Sequence, residues 1–216
     1  MHETSDLLNF AHTLHWYALG FMALVYVIRV IWFVRRFKAG GDRQAPTGVP
    51  GWTTPQKGIL YSWGNVAMPW GMESTRARPF FYAQFVAFHL GVTAAIALLF
   101  IIPWAPGILE SDVWVLVLRI PIGAAFLVGL GRIVRRFRDP YIRAISSPDD
   151  IFSVILLTVW FFFAFLAVPN STATGEWHLL GYFFLATFFL VYVPFSKISH
   201  YLYYPFTRYY LGKTLG

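Results

Sequence analysis

The sequence predicts an all-α integral membrane protein. The expected fold is a bundle of five transmembrane helices forming a single domain over residues 1–216, with the N-terminus outside and the C-terminus cytoplasmic. Three observations carry this. The chain is 57% hydrophobic and only 12% charged, against about a quarter charged in an ordinary soluble domain, so it lacks the polar residues to cover itself in water. Five apolar segments, at about 10–34, 80–103, 113–130, 151–168 and 179–200, approach or exceed the ~20 residues that cross a bilayer at 1.5 Å per residue. Single spans are helices because each backbone polar group must be satisfied within the segment. The third observation is how the basic residues divide along the chain.

Arg35, Arg36, Lys38, Arg43, Lys57, Arg76 and Arg78 follow the first span. Arg132, Arg135, Arg136, Arg138 and Arg143 follow the third, and Lys197, Arg208 and Lys213 follow the apolar run of the fifth. Of the seventeen Lys and Arg, only Arg29 and Arg119 lie elsewhere, both inside spans. The opposite connections carry Glu3, Asp6, Glu110, Asp112 and Glu176. The positive-inside rule therefore places the 38–79 loop, the 132–150 loop and the C-terminal tail in the cytoplasm. The net charge of +7 is thus a topology signal, and no nucleic-acid partner is expected. Met1–Asn9 carries acids rather than a basic leader region, so no cleavable signal peptide is expected.

The first helix is expected to start near Ser5, a capping residue followed by Asp6. It carries His12 and His15 towards its outer end and Arg29 in its inner third. The 38–79 connection is rich in Gly and Pro. Its second half, Gly58–Met72, holds Tyr61, Trp63, Met68 and Trp70, which suits either a segment lying at the headgroups or a docking surface for a cytoplasmic partner. The second span carries His89 with Gly91 beside it. The third carries Arg119, Pro121 and the small residues Gly123, Ala124, Ala125 and Gly129, which permit close helix packing or room for a flat cofactor. Ser147-Pro148-Asp149-Asp150 is a helix start: a cap, a proline at the first helical position, and carboxylates at the positive end of the dipole. The last span opens at His178 and closes on Pro194-Phe195-Ser196-Lys197-Ile198-Ser199-His200.

Cysteine is absent, which excludes disulfides, Cys-ligated zinc or iron–sulfur clusters, and covalent haem attachment through C-x-x-C-H in this chain. A redox centre here would be held by histidine. Depth sorts the six histidines: His2 lies in the tail, His12, His15 and His178 lie at the outer face, and His89 and His200 lie in the inner half. His178 and His200 are 22 residues apart, about 33 Å of helix, too far to share one iron. His89 and His200 come from different helices and share the inner half, which leaves two readings open: axial ligands of one b-type haem, or histidines hydrogen-bonded to neighbouring helices. The fifth helix would have to continue past Lys197 with a tilt to bring His200 level with His89.

These residues resemble a known family. Arg135-Arg136-Phe137…Pro140-Tyr141-Ile142-Arg143-Ala144…Ser146-Ser147…Asp150-Ile151 is similar to the third-to-fourth loop of the gamma subunit of respiratory nitrate reductase, a membrane cytochrome b. Pro194-Phe195-Ser196-Lys197-Ile198-Ser199-His200, with Pro205 beyond, resembles the end of its fifth helix, and Phe88-His89-Leu90-Gly91 its second-helix haem site. Related cytochromes serve heterodisulfide-reductase-like and sulfate-respiration complexes. The resemblance implies that residues matching His89 and His200 hold the inner haem iron, that menaquinone or ubiquinone is the membrane substrate, and that a cytoplasmic partner carries iron–sulfur clusters. The family's outer haem uses a second-helix histidine ten residues after the first, where this chain has Leu99. One haem b is therefore expected; a second, between His178 and His12 or His15, would need a ligand pair the family does not use.

The expected function is that of a membrane subunit of a quinone-linked respiratory oxidoreductase in the cytoplasmic (inner) membrane of a prokaryote, inactive without its partner. Arg29 and Arg143 are candidates to neutralise haem propionates. His12, His15, His178 and Arg119 are candidates to bind quinone or accept its protons. The competing expectation is a haem-free membrane anchor or transporter component, in which the same histidines only make hydrogen bonds.

Overall fold

A computed structural model describes residues 5–39, 54–65, 68–71, 73–173 and 175–215. Among these residues the protein is all-helical: α1 Asp6–Ala39, α2 Pro55–Gly64, α3 Glu73–Ala77, α4 Pro79–Trp104, α5 Asp112–Arg138, α6 Pro140–Ile145, α7 Pro148–Ala167, α8 Trp177–Tyr192 and α9 His200–Leu215. Five segments are long and apolar enough to cross a membrane, Asp6–Arg36, Pro79–Trp104, Asp112–Arg138, Pro148–Ala167 and Trp177–Phe195. The chain is a multi-pass membrane protein. His2, Arg43, Met72 and the Gly/Pro-rich stretch 40–53 lie outside the described residues.

The helix starts follow from local chemistry. Ser5 Oγ accepts the Leu8 N–H at 3.2 Å, closing the first turn of α1. Thr54 caps α2 by accepting from the Lys57 N–H (3.3 Å), with Pro55 behind it. Ser147 and Asp150 form a reciprocal capping box at the head of α7, which satisfies two backbone donors that no helix carbonyl can reach.

The chain forms two compact units. One comprises Met1–Gly20 with Tyr82–Tyr192, the other Phe21–Phe81 with Val193–Gly216. In the first unit α5 packs on α7 and α7 on α8, around a core that includes Leu98, Ile122, Ala125, Phe161, Tyr182 and Phe183. The small residues serve close packing here. A Cβ on Gly129 would lie 2.3 Å from Thr158 Oγ1, and one on Gly91 would lie 2.7 Å from the Pro121 carbonyl oxygen. Helix backbones this near one another exclude a flat cofactor between them. In the second unit α2 packs on α9, and α9 meets the inner part of α1 through aromatic side chains.

One expectation is corrected. The fifth span does not run as a single helix to residue 200: the α-helix stops at Tyr192, passes through two tight 3-10 turns at Val193–Phe195 and Lys197–Ser199, and restarts as α9 at His200. Pro194 has no N–H for the Leu190 carbonyl and its ring crowds that carbonyl, so the helix cannot continue through it. Ser196 is extended (φ −99°, ψ 171°) and its hydroxyl accepts the Ile198 N–H at 3.2 Å, starting the next turn.

Candidate functional site

His89 sits in the middle of α4. Its neighbour Phe88 is buried, edge-on to Phe161 (5.2 Å between centroids) and beneath the Arg132 guanidinium (4.4 Å). With Phe88 on the packed face, His89 is left on an exposed one. Its ring is nevertheless oriented: with the proton on Nδ1, the imidazole donates to the Phe85 carbonyl oxygen one turn back (2.7 Å), and the Phe85 ring lies 4.0 Å away. Nε2 is then an acceptor with an open lone pair.

His200 repeats the arrangement in the other unit. As the first residue of α9 it is exposed, and its Nδ1–H donates to the Lys197 carbonyl oxygen at 3.1 Å, the carbonyl that its own backbone N–H also meets. A metal-ligating histidine commonly anchors one ring nitrogen on a carbonyl so that the other faces the metal as a neutral donor. Both imidazoles meet that requirement.

The second unit adds a cation. Arg29 is half-buried on α1, its guanidinium 5.7 Å from the Tyr203 ring, and its Nη1 is buried without a hydrogen-bond partner. A buried guanidinium N–H left unsatisfied is costly, so Arg29 fits an anionic group such as a haem propionate. Arg143, on α6, is exposed. Sequence reasoning missed the phenols here. Tyr26 and Tyr201 share a hydrogen bond between their hydroxyls, and Phe33 packs on Tyr203 (4.9 Å) and Phe206 (5.4 Å). The available signal was Tyr26 one turn before Arg29, facing the Tyr-rich run that follows His200.

The outer histidines behave differently, and all lie in the first unit. His15 is 1% exposed and neither of its ring nitrogens has a partner; His12 is half-buried, with Nε2 also unpartnered. Both stack edge-on against Phe183 of α8, at 4.3 Å for His12 and 5.7 Å for His15. His178 is buried at the start of α8, five residues before Phe183. Among the described residues no three His, Cys, Asp or Glu side chains converge to hold a metal ion. Beside this cluster, Ser5 donates to half-buried Glu176 from its hydroxyl and from its backbone N–H (3.1 Å). These bonds hold the Glu176 carboxyl below its ordinary pKa.

Arg119 has a structural explanation. Its Nε–H donates to the Phe165 carbonyl oxygen (3.3 Å) and its guanidinium lies 5.0 Å from the Phe165 ring. The residue four positions after Phe165 is Pro169, which has no N–H, so that carbonyl lacks its helical donor and Arg119 supplies one. An apolar groove of about 470 Å³ between α7 and α8, lined by residues such as Leu156, Val159, Phe163 and Phe184, contains none of the candidate histidines.

A curated protein of Nitratidesulfovibrio vulgaris (strain Hildenborough), described simply as a protein, is 28% identical over 191 residues, covering 85% of this chain and 82% of its own length. No family model and no solved structure matches the chain.

Proposed function

We propose that this chain is the haem b-carrying membrane subunit of a respiratory oxidoreductase complex, exchanging electrons between the quinone pool and a cytoplasmic iron–sulfur partner. The observation that carries the reading is the matched state of His89 and His200: each anchors Nδ1–H on a main-chain carbonyl and keeps Nε2 open. These two would hold the haem iron, and Arg29, with its unsatisfied Nη1, would meet a propionate. Haem iron when bound carries one electron at a time between donor and acceptor.

Depth along each helix supports the pairing. His89 stands 11 residues from Arg78, about 16 Å of rise. Tyr201, next to His200, bonds Tyr26, which stands 9 residues from Arg35, about 14 Å. Each stands a similar number of residues from the nearest basic stretch of the sequence. The charge division supports an N-terminus outside, a C-terminus in the cytoplasm, and residence in a prokaryotic cytoplasmic membrane. His12, His15 and His178 are then the groups that meet quinol and receive its protons at the outer face, and the basic loops dock the soluble partner.

The test is a reduced-minus-oxidised absorption spectrum of the purified protein with His89→Ala and His200→Ala beside it. A b-type spectrum that disappears in either variant is expected. Full haem content in either variant refutes the ligand assignment, and a wild-type protein without haem leaves the anchor or transporter component as the better reading.

A further inference from the structure

Outside the five spans, the second unit presents a pair of helices whose exposed surface suits neither water nor the hydrocarbon core. Helices α2 and α9 meet at Gly212, where a Cβ would stand 2.5 Å from Ile59 Cα. Away from that seam, Leu60 is 74% exposed, Tyr61 65% and Trp70 66%, with Trp63, Tyr209 and Leu211 also open. An apolar and aromatic surface of this kind needs something to cover it.

Two further observations identify the cover. The first is position. Phe33 packs on Tyr203 and Phe206 of α9, and two residues after Phe33 the apolar run of α1 ends at Arg35-Arg36, with Arg36 folded over Trp32 at 4.1 Å. The first half of α9 is therefore level with the place where the span leaves the apolar region, and Gly212 with its α2 contact lies six residues beyond Phe206. The second is charge. Residues 54–71 and 196–215 contain Lys57, Lys197, Arg208 and Lys213 and no Asp or Glu. Trp and Tyr prefer the headgroup boundary, where ring and polar edge are both accommodated, and juxtamembrane basic residues are attracted to anionic lipid.

We propose that the α2–α9 pair is a lipid platform seated in the anionic headgroup layer, with Leu60, Tyr61 and Trp63 entering the acyl boundary and Lys57, Arg208 and Lys213 meeting lipid phosphates. The platform anchors the unit that carries His200, independently of whether haem is bound there.

The absence of cysteine makes the test direct. Leu60→Cys, Tyr61→Cys and Tyr209→Cys variants of the full chain are each labelled with an environment-sensitive fluorophore and reconstituted into vesicles, either phosphatidylethanolamine with phosphatidylglycerol or phosphatidylcholine alone. Quenchers are placed shallow in the acyl chain, deep in the acyl chain, or as iodide in water. Severalfold stronger quenching by the shallow lipid quencher than by iodide is expected. That preference should weaken in phosphatidylcholine, and in a Lys57→Gln/Arg208→Gln/Lys213→Gln background. Labels that iodide reaches and lipid quenchers do not would overturn the proposal and give this face to a soluble protein. Equal shallow quenching in both vesicle types would overturn its anionic-lipid part. Gel filtration and circular dichroism of each variant establish that it is folded, and three label sites on two helices keep the result independent of any one substitution.

Discussion

The inner and outer histidines of this protein are opposites. His89 and His200 are exposed, each with one nitrogen fastened to a main-chain carbonyl. His15 is buried beside half-buried His12, with both ring nitrogens unsatisfied. Burial alone would have chosen His15 as the metal ligand. A ligand, however, needs a fixed tautomer and an open lone pair as much as it needs shelter, and only the inner pair meets both conditions in the chain by itself. The outer pair differs: its polar ring atoms are held in an apolar wall at a cost.

Five measurements break or sharpen this contrast, beginning with the largest effect. Loss of the haem spectrum in His89→Ala or His200→Ala with retention in His15→Phe is expected; if His15→Phe removes half the haem instead, the contrast fails and the outer face holds a second haem. The same His15→Phe variant, which replaces unsatisfied nitrogens by carbon, should unfold in detergent no earlier than wild type while losing quinol-dependent reduction.

Next, Gly91→Ala forces α4 away from the Pro121 carbonyl and Ala125. It should cost ~1–3 kcal/mol, seen as a lower unfolding midpoint in detergent. An unchanged midpoint would mean that the helix carrying His89 is not held at this contact. Arg119→Met should cost ~1 kcal/mol by leaving the Phe165 carbonyl without a donor, without changing quinol-dependent reduction. A large kinetic loss at full stability would return Arg119 to the quinone site.

The smallest effect is electrostatic. Because its Ser5 bonds lower the Glu176 pKa, the contact is fully made above the ordinary carboxylate range and is lost as pH falls through the lowered folded value. Protection of the Leu8 and Asn9 amides, whose N–H groups bond the Ser5 carbonyl, should therefore fall on acidification in wild type, measured relative to the intrinsic exchange rate at each pH. In Ser5→Ala the Glu176-linked part of that pH dependence should be absent; an identical pH response in the two proteins would dismiss the tether.

Much of this was legible along the chain. Five spans, the Ser5 start of α1 and the Ser147–Asp150 box all depend on residues a few positions apart, and interactions of that range are encoded locally. The break at Pro194 is equally local, since the missing N–H of that residue ends the fifth helix wherever His89 lies. The role of Arg119 was half visible. Pro169 announces an unsatisfied carbonyl at Phe165, but the donor comes from a helix 46 residues away in sequence.

Composition and short-range pattern by themselves determined that this chain is helical, carries five segments long and apolar enough to cross a membrane, and concentrates its basic residues in alternate connections, because lipid tolerates few alternatives for an apolar segment. They also marked the histidines as costly and in need of partners. Tertiary structure alone decided that His12 and His15 lie against Phe183, that Gly91 and Gly129 are places where helices touch, and that Tyr26 and Tyr201 meet. Those outcomes depend on which faces of distant segments come together, and the orientation of a ring or the fate of a lone pair is fixed only when that neighbour arrives.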